Sequence, residues 1–238
     1  GIDNRWWLPC FDDPADKLVT EMIVHFDSKY KVLSNGQKLE EKKEKDGTTT
    51  WHYLINHQQN SYLVTLGIGM YDIYTEMSNS GIKLLDYYYP DMAKTRSYTY
   101  RYTAEIMDFL QTETKTPYPW GTYAQIPVQD FLYGAMENTS ATTFGDFFCV
   151  DDRAYKDRNY VAVNAHEMAH QWFGDMISAR SSKHQWLQES FATYYSKLFD
   201  KYEFGLDKYK WDCRNEQNSA IDAATKDNLP IVNSSAGS

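Results

Sequence analysis

Between Val161 and Ala192 the chain reads His166-Glu167-Met168-Ala169-His170, then eighteen residues, then Glu189. No other stretch constrains the fold as much, because this spacing fixes where three side chains have to meet. On a helix each residue turns by about 100°, so His170 returns to the face of His166 one turn further on. Two imidazoles placed in this way can share one metal ion. Glu167 lies next to His166 but is rotated off the ligand axis. It can reach a water held by that ion without being a ligand itself. Such a turn carries two zinc ligands and a general base.

A zinc site that does chemistry takes three protein ligands and keeps one position open. Glu189 is the candidate third ligand. It lies in Trp186-Leu187-Gln188-Glu189-Ser190-Phe191-Ala192, a pattern that continues as helix to Phe199. Eighteen residues suffice for one helix to end, turn and return, with Gly174-Asp175 as the expected stop. The H-E-x-x-H spacing alone also arises on ordinary amphipathic helices, and Glu189 is what singles this one out. Val161, Val163, Ala165, Ala169, Trp172 and Phe173 make the helix a buried one. Two histidines and a glutamate inside a core need partners, since an unpaired buried polar group costs roughly 2–7 kcal/mol. A metal ion supplies them.

The 238 residues make one large domain or two smaller ones, and 20 Tyr and 7 Trp argue for a packed core rather than disorder. The net charge of −9 with scattered Lys and Arg argues against nucleic acid as a partner. Cys10, Cys149 and Cys213 are odd in number, far apart and without a C-x-x-C pair. They form neither a disulfide framework nor a cysteine zinc site. No run of eighteen apolar residues occurs, so no membrane span is expected, and Gly1 opens no signal peptide. The segment reads as soluble. It lacks an initiator Met and reads as an excised piece, so a cytoplasmic and an exported parent are both open, as is the oligomeric state.

The pattern along the chain is α+β. Apolar and polar residues alternate from Leu18 to Ser34, Asn35-Gly36 has the composition of a hairpin turn, and Glu40 to Asp46 is a charge run expected at a solvated hairpin tip. Thr48–Leu54 and Ser61–Met70 read as further strands. This is antiparallel sheet, too little of it to close a sandwich. Ile82–Tyr89 reads as a strand stopped by Pro90, and Ala93–Thr112 as a helix with a Tyr98, Tyr102, Ile106, Phe109 stripe. Strands over Ile126–Tyr133 and Thr142–Val150 precede the two metal-site helices. Asp207–Asn215 is a helical patch, and Asn233–Ser238 is expected to fray.

A second constellation, Gly134-Ala135-Met136-Glu137-Asn138, precedes His166 by 27 residues. Two small residues leave backbone groups open at a strand edge, where an extended peptide can add as a further strand. Glu137 then places a carboxylate, a receptor for an amine, near one end of that peptide. Equally, Gly134-Ala135 is readable as a turn and Glu137 as a surface residue.

Taken together, Gly-Ala-Met-Glu-Asn and H-E-x-x-H-x18-E resemble the aminopeptidase N family of zinc metallopeptidases, whose catalytic domain is thermolysin-like. Further similar pieces are Arg5-Trp6-Trp7-Leu8-Pro9-Cys10-Phe11-Asp12-Asp13-Pro14-Ala15, Val32–Gly36, Ser61-Tyr62-Leu63, Tyr118-Pro119-Trp120 and Trp186-Leu187-x-Glu189. The resemblance implies the tail of an antiparallel β-sandwich domain over residues 1–68 and a thermolysin-like domain, incomplete at its end, over 69–238. It implies one Zn²⁺ per chain on His166, His170 and Glu189, with Glu167 as general base. Glu137 would bind the free α-amino group of a peptide substrate, and Gly134, Ala135, Met136 and Asn138 would line its backbone. It places an oxyanion-supporting tyrosine beyond Ser238, another amine-gripping residue before Gly1, and a helical domain further on. A central piece of this kind is expected to bind zinc and to turn over poorly by itself. A thermolysin-like endopeptidase, an epoxide hydrolase on the same zinc and a non-catalytic peptide-binding module stay open as alternatives.

Overall fold

The computed structural model of the protein describes residues 4–226 and 230–232. Its first part is strand-rich: β1 (Lys17–Asp27), β2 (Lys31–Ser34), β3 (Gln37–Lys43), β4 (Thr48–Asn60) and β5 (Leu66–Gly69). β1, β4 and β3 form one antiparallel sheet, while β2 and β5 pair separately. In β4 Thr49, Trp51, Tyr53 and Ile55 are buried and their neighbours less so, the period-two signature of a sheet with one face on a core. The charged residues of β3 are all exposed, as suits an edge strand.

The second part is built on a five-stranded sheet ordered β6-β7-β8-β10-β9. Its strands are β6 (Asp72–Met77), β7 (Lys83–Tyr88), β8 (Thr122–Val128), β9 (Ala135–Met136) and β10 (Ala141–Gly145). β7, β8 and β10 run parallel, and β6 and β9 are antiparallel edges. The helices are α1 (Arg96–Thr99), α2 (Thr103–Thr114), α3 (Ala154–Asp157), α4 (Val161–His170), α5 (Trp186–Phe204) and α6 (Leu206–Lys226). One core lies where α2, α4 and α5 meet, around Ile106, Leu110, Met168, Trp172 and Phe199. A second joins the two parts through Leu33, Trp51, Tyr87 and Ile126. Each fully buried side chain of this kind contributes roughly 1.5–3 kcal/mol. This is an α+β fold, with three sheets and a helical layer.

Several elements differ from the sequence reading. Asn35-Gly36 is not a hairpin turn. It passes the chain from β2, which pairs β5, to β3, which pairs β4. The charge run lies mostly in β3, leaving only its end in the tip. Ser61–Leu63 is a 3-10 turn, so the strand expected over Ser61–Met70 shrinks to β5. The helix expected over Ala93–Thr112 is broken at Tyr102, whose φ of 70° no helix continues through. β8 ends at Val128, and β10 gives way to a 3-10 turn at Asp146–Phe148. α6 is twice as long as the patch foreseen, with no buried residue to signal it. The Asn233–Ser238 tail lies outside the described residues. Among the described residues no helix is long and apolar enough to cross a membrane.

Candidate metal centre

α4 and α5 lie against one another, and polar bonds fix their register. The Ser196 hydroxyl on α5 donates to the Ala162 carbonyl on α4 (2.8 Å), and the Asn164 amide ties α4 to the Thr99 carbonyl (2.8 Å). α4 ends at His170, four residues before the expected Gly174 stop, and the Asp175 N–H caps the His170 carbonyl at 3.0 Å. Gly174 has φ +146°, and a Cβ there would meet His170 Nδ1 at 3.0 Å. A side chain at 174 would press on the candidate ligand itself, so glycine is required for the close approach.

His166, His170 and Glu189 converge. The two Nε2 atoms are 3.0 Å apart, and Glu189 Oε2 lies 3.6 Å from His166 Nε2 and 3.5 Å from His170 Nε2. Zinc bonds of about 2.0–2.2 Å at tetrahedral angles put neighbouring donors about 3.3–3.6 Å apart. Both imidazole–carboxylate separations fall there, and the imidazole pair lies slightly inside. His170 Nδ1 is 2.9 Å from the Phe173 carbonyl. A carbonyl only accepts, so Nδ1 carries the proton and Nε2 keeps its lone pair for a cation. The donor set, two neutral nitrogens and one carboxylate, fits a single zinc ion.

The surroundings carry excess negative charge. Burial and the nearby Glu137 raise the Glu167 carboxyl to about 8. Burial opposes a charge on His170, yet Glu189, Glu137 and Glu167 lift it to about 10, so a cation binding at Nε2 would displace a proton from it. Burial likewise works against the Glu189 carboxylate, but bonds from His166 and His170 hold it well below the usual range. Asp175, wholly buried, is raised well above its ordinary value by burial and by Glu137. A divalent cation relieves this crowding of carboxylates.

The second constellation comes to the same place. Gly134 has φ +83°, and its carbonyl accepts from the Gly145 N–H at 2.7 Å. Ala135 and Met136 form β9, paired to β10 on one side and with no strand on the other among the described residues. This is a free edge rather than a simple turn. Glu137 is buried rather than on the surface, at 7% exposure. Asn138 turns its amide to the Leu63 carbonyl at 3.2 Å. A cavity of about 490 Å³ flanks this segment, lined among others by Tyr62, Leu66, Ile126, Phe131, Met136 and Asn138.

Four residues of the site escaped the sequence reading. Gln171, next to His170, accepts from the Ser140 N–H (2.8 Å) and donates to the Glu137 carbonyl (3.2 Å). Gln188, next to Glu189, donates to the Tyr62 hydroxyl at 2.9 Å, and Tyr62 faces Glu137 Oε1 at 3.4 Å. Asp175 is the fourth. A glutamine beside His170 and another beside Glu189 were a readable signal for the first two.

An α+β unit with a His-His-Glu donor group that could hold a metal ion, a buried carboxylate near it and a free strand edge defines a class of candidate metal centre. Comparison with known proteins sharpens this. Residues 98–235 match the model of the Peptidase family M1 domain, and residues 1–63 that of the Peptidase M1 N-terminal domain. The chain belongs to peptidase family M1. It is 30% identical over 200 residues to glutamyl aminopeptidase of Bos taurus, covering 82% of this chain and 21% of that one. It is 30% identical over 210 residues to leucyl aminopeptidase of Saccharolobus solfataricus, covering 84% of this chain and 26% of that one. Aminopeptidase M1 of Arabidopsis thaliana is 30% identical over 204 residues, 82% of this chain and 23% of that one. The chain thus spans about a quarter of the length of these relatives.

Proposed function

We propose that this chain carries the metal centre and amine receptor of a zinc-dependent aminopeptidase, which removes N-terminal residues from peptides. The observation that supports this best is the placement of Glu137. It is a buried carboxylate at a free sheet edge, in the electrostatic reach of Glu167 and His170. His166, His170 and Glu189 would hold the zinc. Bound there, zinc polarises a carbonyl and lowers the pKa of water towards ~7. The outer edge of β9, at Ala135 and Met136, pairs with the substrate backbone as an added strand. Glu137 takes the α-ammonium, which an internal peptide bond cannot offer, and so counts one residue from the end. Ionised by the charge of the bound cation, the Glu167 carboxylate would accept the proton of the attacking water and return it to the leaving amine. The apolar cavity beside Met136 gives the first side chain a place to lie. Within this reading residues 1–68 form the β part and 69–238 the catalytic part.

The names of the relatives, all aminopeptidases, support the same reading. The test uses the full-length parent and a peptide presented free or N-acetylated. Cleavage of the free peptide alone, lost in Glu137→Ala with zinc content kept, is the expected result. Wild-type turnover of an aminoacyl anilide by Glu137→Ala would refute the amine-receptor role.

A further inference from the structure

Glu137 is the only member of the proposed amine site whose side chain needs an exact aim, and the bond that aims it comes from the other end of the chain. Tyr62 lies in the 3-10 turn Ser61–Leu63. That turn is pinned from three sides. Asn4 donates to the Ser61 and Val64 carbonyls at 2.6 and 3.0 Å, and Asn35 and Asn138 both donate to the Leu63 carbonyl at 2.9 and 3.2 Å. Leu63 is itself fully buried. The Tyr62 ring therefore stands on a fixed base.

Its hydroxyl has one proton and two lone pairs. Gln188 Nε2 donates to it at 2.9 Å, so the phenolic proton is left for Glu137 Oε1 at 3.4 Å. The order is forced: an amide N–H only donates and a carboxylate only accepts. Burial and the Glu137 charge raise the Tyr62 hydroxyl well above its ordinary value, so it keeps this proton throughout the working range. Gln188 immediately precedes Glu189 on α5. The relay Gln188, Tyr62, Glu137 thus ties the direction of the carboxylate to the helix that carries the third metal ligand.

We propose that Tyr62 is a positioning residue, whose hydroxyl, oriented by Gln188, aims the Glu137 carboxylate at the substrate's α-ammonium. This rests on the reading of Glu137 as the amine receptor. Tyr62 touches Glu137 rather than the reacting atoms. Removing it should spare metal binding and lower only the advantage of a free amine.

The test is calorimetric binding of leucine hydroxamate and N-acetyl-leucine hydroxamate to the zinc-loaded protein. Both present the same metal-binding head, and only the first carries an ammonium. In Tyr62→Phe the preference for the free amine should fall about tenfold, the effect of one hydrogen bond to a charged group. Affinity for the acetylated ligand and for zinc should hold. Gln188→Leu, which reaches the same carboxylate from the far end, should give a similar fall, and the double variant no more than either alone. A preference unchanged in both variants overturns the role of Tyr62 and leaves Glu137 untouched. A parallel loss for both ligands, with a lowered melting temperature, also overturns it, because that is packing rather than aim. If the unaltered protein binds the two hydroxamates equally, and Glu137→Gln changes nothing, the amine-receptor reading fails and Tyr62 falls with it.

Discussion

Gln171→Leu isolates one bracket of the site. Gln171 has no exposed surface, and its amide spans two backbone groups. It accepts the Ser140 N–H at 2.8 Å and donates to the Glu137 carbonyl at 3.2 Å. Leucine has similar bulk, so the cavity left is small and the loss is polar. Each backbone group stranded in the interior costs about 1–3 kcal/mol, which makes ~3 kcal/mol a fair expectation for the pair. For a chain of this size ~1 kcal/mol moves the melting temperature by about 2–4 °C, so the midpoint should drop by ~6–12 °C. A thermal melt followed by tryptophan fluorescence reads this shift, since Trp120 and Trp172 are buried beside the site, and urea unfolding gives the free energy. The slope with urea should stay constant while the midpoint falls. Zinc affinity should change little, because no donor of the His-His-Glu group contacts this amide. Gln171→Glu should fare worse, since it keeps the acceptor, loses the donor and adds a charge near Glu137 and Glu167. A shift below ~2 °C for the leucine variant would show that these two bonds do not hold the segment.

Three more outcomes can be checked directly. Zinc at a hundredfold excess over its dissociation constant should stabilise the chain by ~2.7 kcal/mol in a thermal melt, and Glu189→Ala or His170→Ala should abolish the gain. Phe199→Ala should cost about 3–5 kcal/mol in urea unfolding, because Phe199 is fully buried and packs edge-on against Phe109 and Tyr102. Asp86, buried on β7, is raised from 3.8 to about 7 by burial and Glu76 against the pull of Arg96. The folded chain therefore keeps a proton that the unfolded chain releases. Asp86 contributes stability that is full below about pH 4 and lost as pH rises through about 7. Asp86→Asn should flatten that fall in a series of melts across the window.

The convergence of His166, His170 and Glu189 was legible because its geometry is local. Four residues on a helix fix His166 against His170 whatever surrounds them, and Glu189 needed only a return helix. Two small residues offered the free edge at Ala135 as one reading and a turn as the other, and spacing alone did not choose the edge. Asn35-Gly36 was misread because turn composition does not say which strand comes next, and the partner of β2 lies far on in the chain, in β5. The break at Tyr102 was hidden because an apolar stripe keeps its period across a kink. The bonds of Tyr62 could not be seen, since they join positions 62, 137 and 188. No local pattern encodes a contact across such a distance. α6 buries no residue and only Tyr209, Asp212 and Cys213 along it are half-buried, so its packing gives little pattern to read.

Asn35 carries a consequence for how such proteins can be recombined. Its one amide serves the Leu63 and Thr139 carbonyls at 2.9 and 2.8 Å and accepts the Thr65 N–H at 2.8 Å, while the next N–H, of Gly36, reaches the Ser140 hydroxyl at 2.6 Å. The strand-rich opening of the chain is thereby stitched to the residues directly after Glu137 and Asn138. A graft that exchanged residues 1–68 for those of a distant relative would bring a foreign edge to that seam. Even with Tyr62 and Leu66 kept, it would disturb the segment that carries Glu137.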